Sequence, residues 1–146
     1  MEQVERVGTV ELSREECLAL LAGVPFGRLV ITEGALPAVL PVNFLLDPAG
    51  IVIRTAEGSS TSLADGAVVA FQADSIDPVR QAGWTVTVVG RASIVRDELQ
   101  RSRLAALPLR PWAPGRRDTL VVVDLGLVSG RRIGGPEPAH AVPDVG

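Results

Sequence analysis

The chain has 146 residues, 47% of them hydrophobic, and a formal net charge of −3. That length suits one domain with a real core, and a mean hydropathy of +0.30 argues against disorder. All fourteen cations are arginine and no basic run exceeds two residues, which disfavours a nucleic-acid partner; no apolar run approaches the ~20 residues of a membrane span.

The acidic start, Met1 to Arg6, does not read as a signal peptide. The one cysteine, Cys17, cannot form an internal disulfide, so a reducing cytoplasm is the expected compartment. One His (His140) and one Cys cannot build the usual zinc sites, so no metal is expected. With that His stranded in a Pro/Gly-rich tail, neither a Ser-His-Asp arrangement nor a haem ligand is expected. Redox chemistry would then have to come from a bound organic cofactor.

A short strand is expected over Val7–Leu12. Ser13-Arg14-Glu15-Glu16 reads as a capping box opening a helix, whose apolar face carries Cys17, Leu18, Leu20 and Leu21 and which Gly23 ends. Phe26–Thr32 and Leu36–Leu46 read as a hairpin across Glu33-Gly34. Asp47-Pro48-Ala49-Gly50 turns the chain into a third strand, Ile51–Thr55. Within the second strand, Pro41 belongs on an edge or rim, and the Asn43 amide either faces solvent or needs partners in a barrel wall.

After Arg54-Thr55 and Gly58 come four hydroxyl residues, Ser59, Ser60, Thr61 and Ser62. Two readings stand for this stretch: a solvated polar turn, or a cradle in which hydroxyls, backbone N–H groups and one guanidinium hold a phosphate. Thr61–Asp65 reads as a short helix. Ala67–Ala73 follows as a fully buried strand, Asp74–Gly83 as a polar loop, and Trp84–Val95 as the longest strand, bent or bulged at Gly90. Asp97 caps a second helix through Ala106. Leu107 to Gly115 holds three prolines and presents Arg110 and Trp112, as an edge of a pocket or as a plain connector. A last strand starts at Thr119–Leu125, continues through Val128 and ends at Ser129-Gly130-Arg131-Arg132. One domain over 1–133 and a loose tail over 134–146 are expected. The tally is a mainly β fold: a six- to seven-stranded antiparallel barrel with short helices.

The Pro-Val-Asn-Phe hairpin, the strand ending Arg-Thr, the Gly-Ser turn, Gly83 to Ala92 and Leu107 to Gly115 resemble, in that order, the pyridoxamine 5′-phosphate oxidase-like family, in particular its small actinobacterial members. The resemblance implies a homodimeric split β-barrel with FMN in two clefts between protomers. It implies that Val42, Asn43 and Phe44 line the isoalloxazine ring, that Arg54, Thr55, Ser59 and Ser60 meet the phosphate, and that Trp84 and Trp112, of the same or of the partner chain, flank the cleft. The expected activity is an FMN-dependent oxidoreductase passing hydride through flavin N5 between small-molecule donor and acceptor. A non-catalytic flavin- or nucleotide-binding module and a deazaflavin-dependent reductase stand as alternatives. Relatives commonly carry a lysine shortly after the turn glycine. Ser60 stands there in this chain, which implies a weaker FMN site unless another arginine, such as Arg80 or Arg91, replaces that charge.

Overall fold

The capping box forms as its residues require. In the computed structural model, which describes residues 9–134, the Ser13 hydroxyl accepts from the Glu16 N–H and the Glu16 carboxylate accepts from the Ser13 N–H, opening helix α1 (Arg14–Leu21). Its buried face, Cys17 and Leu21, packs into the barrel core. Cys17 is fully buried among the core side chains, and that burial raises its thiol above its ordinary value.

Among the described residues nine strands follow one another as β1 (Thr9–Glu11), β2 (Phe26–Glu33), β3 (Leu36–Asn43), β4 (Leu45–Asp47), β5 (Gly50–Thr55), β6 (Val68–Asp77), β7 (Ala82–Ile94), β8 (Thr119–Val123) and β9 (Leu127–Gly134). Helix α2 (Ser60–Leu63) lies between β5 and β6, and α3 (Glu98–Ala105) between β7 and β8. All pairings are antiparallel, in the order β3-β2-β6-β7-β8-β5-β4, with β9 on β7 and β1 on β9. Among the described residues the two ends of that path, β3 and β4, do not pair. The barrel is therefore split along a line the chain crosses at Phe44.

Two expected strands are each two. The run Leu36–Leu46 breaks at Phe44, where the chain leaves the edge of β2 and turns to pair with β5. The Phe44 ring is buried edge-on against Phe71, 4.6 Å between centroids, so core packing breaks the strand. The run through Val128 breaks at Asp124 to Gly126, and β9 starts where that strand was expected to be ending. These two breaks account for nine strands rather than six or seven.

The polar loop expected over 74–83 is mostly a hairpin arm, with Asp74 to Asp77 paired to Thr85 to Ala82. β6 is not buried throughout, since Val68 is exposed and its burial alternates. Gly90 makes no bulge against β6. Instead it marks the corner where β7 leaves β9 and takes β8 as partner. The tail beyond Gly134, with His140, lies outside the described residues.

Consecutive apolar residues at Ile51-Val52-Ile53 have a two-sided explanation. Ile51 and Ile53 face the barrel core, with Leu29, Phe71, Val86, Val121 and Val123. Val52 faces outward beneath Leu104 of α3, with Leu109, Leu120 and Val122. A strand covered on both faces has no polar alternation to show.

Asp47 ties α3 to this wall. Its buried carboxylate accepts from both terminal nitrogens of Arg103 at 3.0 and 3.1 Å, and from the Ala49 N–H at 2.9 Å. The Arg103 hydrogen bond, ahead of an opposing desolvation, holds the Asp47 carboxyl below its usual value. A lowered folded value means this stabilisation is complete above the ordinary carboxylate range and is lost as pH falls through the lowered one. Asp47→Asn should lower the urea midpoint at neutral pH and make its decline towards acid shallower than in the wild type. Parallel acid-side profiles would refute this.

Candidate functional site

Cavity geometry follows from the split. A cavity of about 310 Å³ opens between the end of β3 (Leu40 to Asn43), the end of β5 (Ile53 to Thr55), the start of α2 and the proline-rich loop at Pro111, Ala113 and Arg117. Six of the nine residues singled out from the sequence line it: Val42, Asn43, Arg54, Thr55, Ser59 and Ser60. Phe44 and Trp84 are placed elsewhere, both buried in the barrel core. Trp84 instead borders a separate cavity of about 340 Å³ with Arg80 and Arg132. Trp112 lies beyond the cavity wall, stacked on Phe26 at 5.2 Å and 8°, although its neighbours Pro111 and Ala113 line the cavity.

Asn43 uses both ends of its amide. Its Oδ1 accepts from the Trp112 N–H at 2.8 Å, and its Nδ2 donates to the Pro25 carbonyl at 3.3 Å. The first bond fastens the proline-rich loop to β3. Asn43 also borders a second cavity, about 670 Å³, whose wall includes Phe44, Leu45, Arg110 and Trp112. It thus stands in the partition between two hollows.

Most of the turn's hydroxyls are committed locally. Gly58 takes a φ of +80°, the left-handed conformation that glycine adopts without strain, and delivers the chain to α2. Ser59 is the N-cap: its Oγ accepts from the Ser62 N–H at 3.1 Å and shares a 2.6 Å hydrogen bond with Thr55 Oγ1. Ser62 donates to the Ser59 carbonyl at 2.9 Å. Ser60 donates to the Glu33 carboxylate at 2.6 Å. The position where relatives of the expected family would carry a lysine is thus tied to an acidic residue.

Arg54 is committed too. Its Nε donates to the Leu109 carbonyl at 2.9 Å, and one terminal nitrogen donates to the carbonyls of Ala105 at 2.6 Å and Leu107 at 3.4 Å. The Ala105 carbonyl is one that the end of α3 leaves without an internal partner, and those of Leu107 and Leu109 lie just beyond it. Arg54 therefore closes α3 and holds the chain that enters the proline-rich loop. Among the described residues the other charged one of the lining is Arg117, and none of them brings a carboxylate to the cavity. In the sequence Arg117 is one of three arginines near Trp112, and nothing in its spacing distinguishes it from Arg110 or Arg116. Arg80 and Arg91 lie at other cavities.

The donor set suits an elongated ligand with a polar, anionic end. It offers two arginines, several hydroxyls, an amide partition and apolar walls from Leu40, Val42 and Ile53. Among the described residues no cluster of His, Cys, Asp or Glu could hold a metal ion, and no helix is long and apolar enough to cross a membrane.

Comparison with known proteins places this arrangement. The family model described as pyridoxamine 5′-phosphate oxidase matches residues 13–132. The uncharacterized Mycobacterium tuberculosis protein Rv0080 is 42% identical over 130 residues, 85% of each chain. A Corynebacterium glutamicum structure, named as a candidate pyridoxamine 5′-phosphate oxidase, superposes with a TM-score of 0.76 at 30% identity, over 89% of this chain and 97% of the other. The FAD binding protein from Mycobacterium smegmatis superposes with a TM-score of 0.73 at 35% identity, over 86% and 98%. The open barrel is the split β-barrel that the sequence led us to expect, and the chain belongs to the pyridoxamine 5′-phosphate oxidase-like family.

Proposed function

We propose that this protein binds a flavin in the cavity between β3, β5 and the proline-rich loop, and works as a flavin-dependent oxidoreductase between small-molecule partners. The observation that carries the reading is the convergence of Val42, Asn43, Arg54, Thr55, Ser59 and Ser60 on one cavity. The cofactor is read as FMN or as the FMN half of FAD. The M. smegmatis relative, an FAD binding protein, supports the longer molecule, and the second hollow beyond Asn43 gives it room.

Bound flavin would supply hydride transfer through its N5. The chain's own contribution is positioning. Leu40, Val42 and Ile53 offer apolar walls to a planar ring, Asn43 fixes the partition, and the arginine charge attracts the phosphate end. No side chain at the cavity is assigned as a proton donor or acceptor.

The partner is read as a second copy of the chain. On the outer face of the sheet, Val39, Val30, Ala70, Val89 and Leu127 lie side by side across five strands. Val39 is 61% and Leu127 71% exposed, an apolar row of the kind a subunit contact covers. Sedimentation at several protein concentrations tests it; a monomer throughout would sink the dimer.

Purified protein should take up FMN or FAD with quenching of flavin fluorescence, and mass spectrometry should identify what it releases. Titrations with FMN, FAD and a deazaflavin in parallel rank the three. If none of them binds, the cavity serves another ligand. If flavin binds without turnover of any electron donor or acceptor, the protein is a binding module.

A further inference from the structure

We infer that Arg117, and not Arg54, makes the direct contact with the phosphate of a ligand in this cavity, and that Arg54 is a positioning residue. The identity of that ligand rests on the flavin reading above; the charge assignment does not.

Arg54 and Arg117 are the charged residues of the lining, and their hydrogen bonding differs. Arg54 already spends its Nε and one terminal nitrogen on the carbonyls of Ala105, Leu107 and Leu109. To grip a phosphate with those atoms it would have to release the end of α3. Arg117 makes one long bond, from a terminal nitrogen to the Pro114 carbonyl at 3.3 Å. Its Nε is buried, and among the described residues it has no hydrogen-bond partner. A buried N–H without an acceptor is costly, so this guanidinium, held among the described residues by the one long bond to Pro114, gains by turning towards an anion in the cavity. The neighbouring Arg116 is paired with Asp118, so the two adjacent arginines have separate tasks.

Surrounding charge agrees. Among the described residues no carboxylate lines the cavity, and the one that reaches its margin, Glu33, accepts from the Ser60 hydroxyl. At Ser60 a cation would sit beside that carboxylate and be partly neutralised. Arg117 comes from the proline-rich loop and has no acidic partner among the described ion pairs. The charge that relatives are expected to place just after the turn glycine is thus supplied here from the proline-rich loop.

The test compares FMN with riboflavin, which lacks the phosphate, and adds inorganic phosphate as a separate probe. Wild-type protein should prefer FMN. Arg117→Gln should cut FMN affinity about ten- to a hundredfold while leaving riboflavin affinity unchanged. Arg117→Lys should restore much of the preference. Arg54→Gln should lower the unfolding midpoint and weaken both flavins alike. An unchanged FMN-to-riboflavin ratio in Arg117→Gln would overturn the assignment, as would a loss confined to FMN in Arg54→Gln. If wild-type protein binds neither flavin, the flavin reading falls and phosphate decides the assignment alone. Phosphate that raises the unfolding midpoint of the wild type but not of Arg117→Gln upholds it; an equal response, or none, overturns it.

Discussion

Arg54→Ala is expected to lower stability by about 2–4 kcal/mol and to remove flavin binding along with it. The guanidinium donates to three carbonyls spread over five residues, 105 to 109, where α3 ends and the proline-rich loop begins. Alanine leaves the part-buried Leu109 carbonyl and the terminal Ala105 carbonyl of α3 without their guanidinium donor, while the Leu107 carbonyl keeps the Leu109 N–H. Leu104 and Leu109, which pack on Val52 and Val122, then lose the chain that holds them in register. The effect reaches the cavity because Pro111, Ala113 and Arg117 lie further along the same loop. Denaturant unfolding gives the first part and flavin titration the second. If binding is lost while the unfolding curve stays where it was, Arg54 acts on the ligand directly and its role at the end of α3 is minor.

A second large effect is expected far from the cavity. Gly90→Ala should cost about 3 kcal/mol or more. A Cβ built at Gly90 falls 2.0 Å from the Asp124 carbonyl oxygen and 2.3 Å from Asp124 Oδ1. Neither can step aside. The Asp124 side chain accepts from the Arg91 N–H at 3.1 Å, and the Asp124 N–H donates to the Arg91 carbonyl at 3.1 Å. The methyl would push β8 off β7 at the corner where β7 changes partner, and the Ala92–Val123 pairing lies next to it. Chemical denaturation measures the loss. A variant as stable as the wild type would mean that this corner has slack which the observed close approach excludes.

How much of this was legible in the sequence depended on whether local chemistry and tertiary demand agreed. The Ser13 and Asp97 caps and the Asp47 turn follow from short-range rules and form as expected, and the hairpin turn expected at Glu33-Gly34 forms one residue on, at Gly34-Ala35, with Glu33 still paired to Leu36. β9 escaped because Gly130 reads as a strand end. It is glycine for a distant reason: a Cβ there would meet Cys17 Sγ and the Thr85 carbonyl, both at 2.8 Å. The arm of β6 and β7 escaped because Ser75, Ile76 and Asp77 extend beyond the barrel into solvent, so no apolar alternation marks them. At the cavity, the positions of Arg54 and the hydroxyl turn were readable from their place at a strand end. Their partners were not. Whether a guanidinium faces a ligand or three carbonyls depends on a loop more than fifty residues away, and no local pattern encodes that.

Edge strand β3 carries Pro37 and Pro41 four residues apart, so both nitrogens point to the same side of the strand. Because β2 occupies the other side, that side is the free edge, and two of its donors are missing. Pro41 itself lines the cavity. β-augmentation, in which a peptide or a neighbouring molecule adds a strand to an open sheet, needs a continuous row of main-chain donors and acceptors. This edge cannot supply one. Whatever settles against it must be held by shape, carbonyl acceptors and side chains, which suits a compact small molecule and keeps the split in the barrel from seeding filaments.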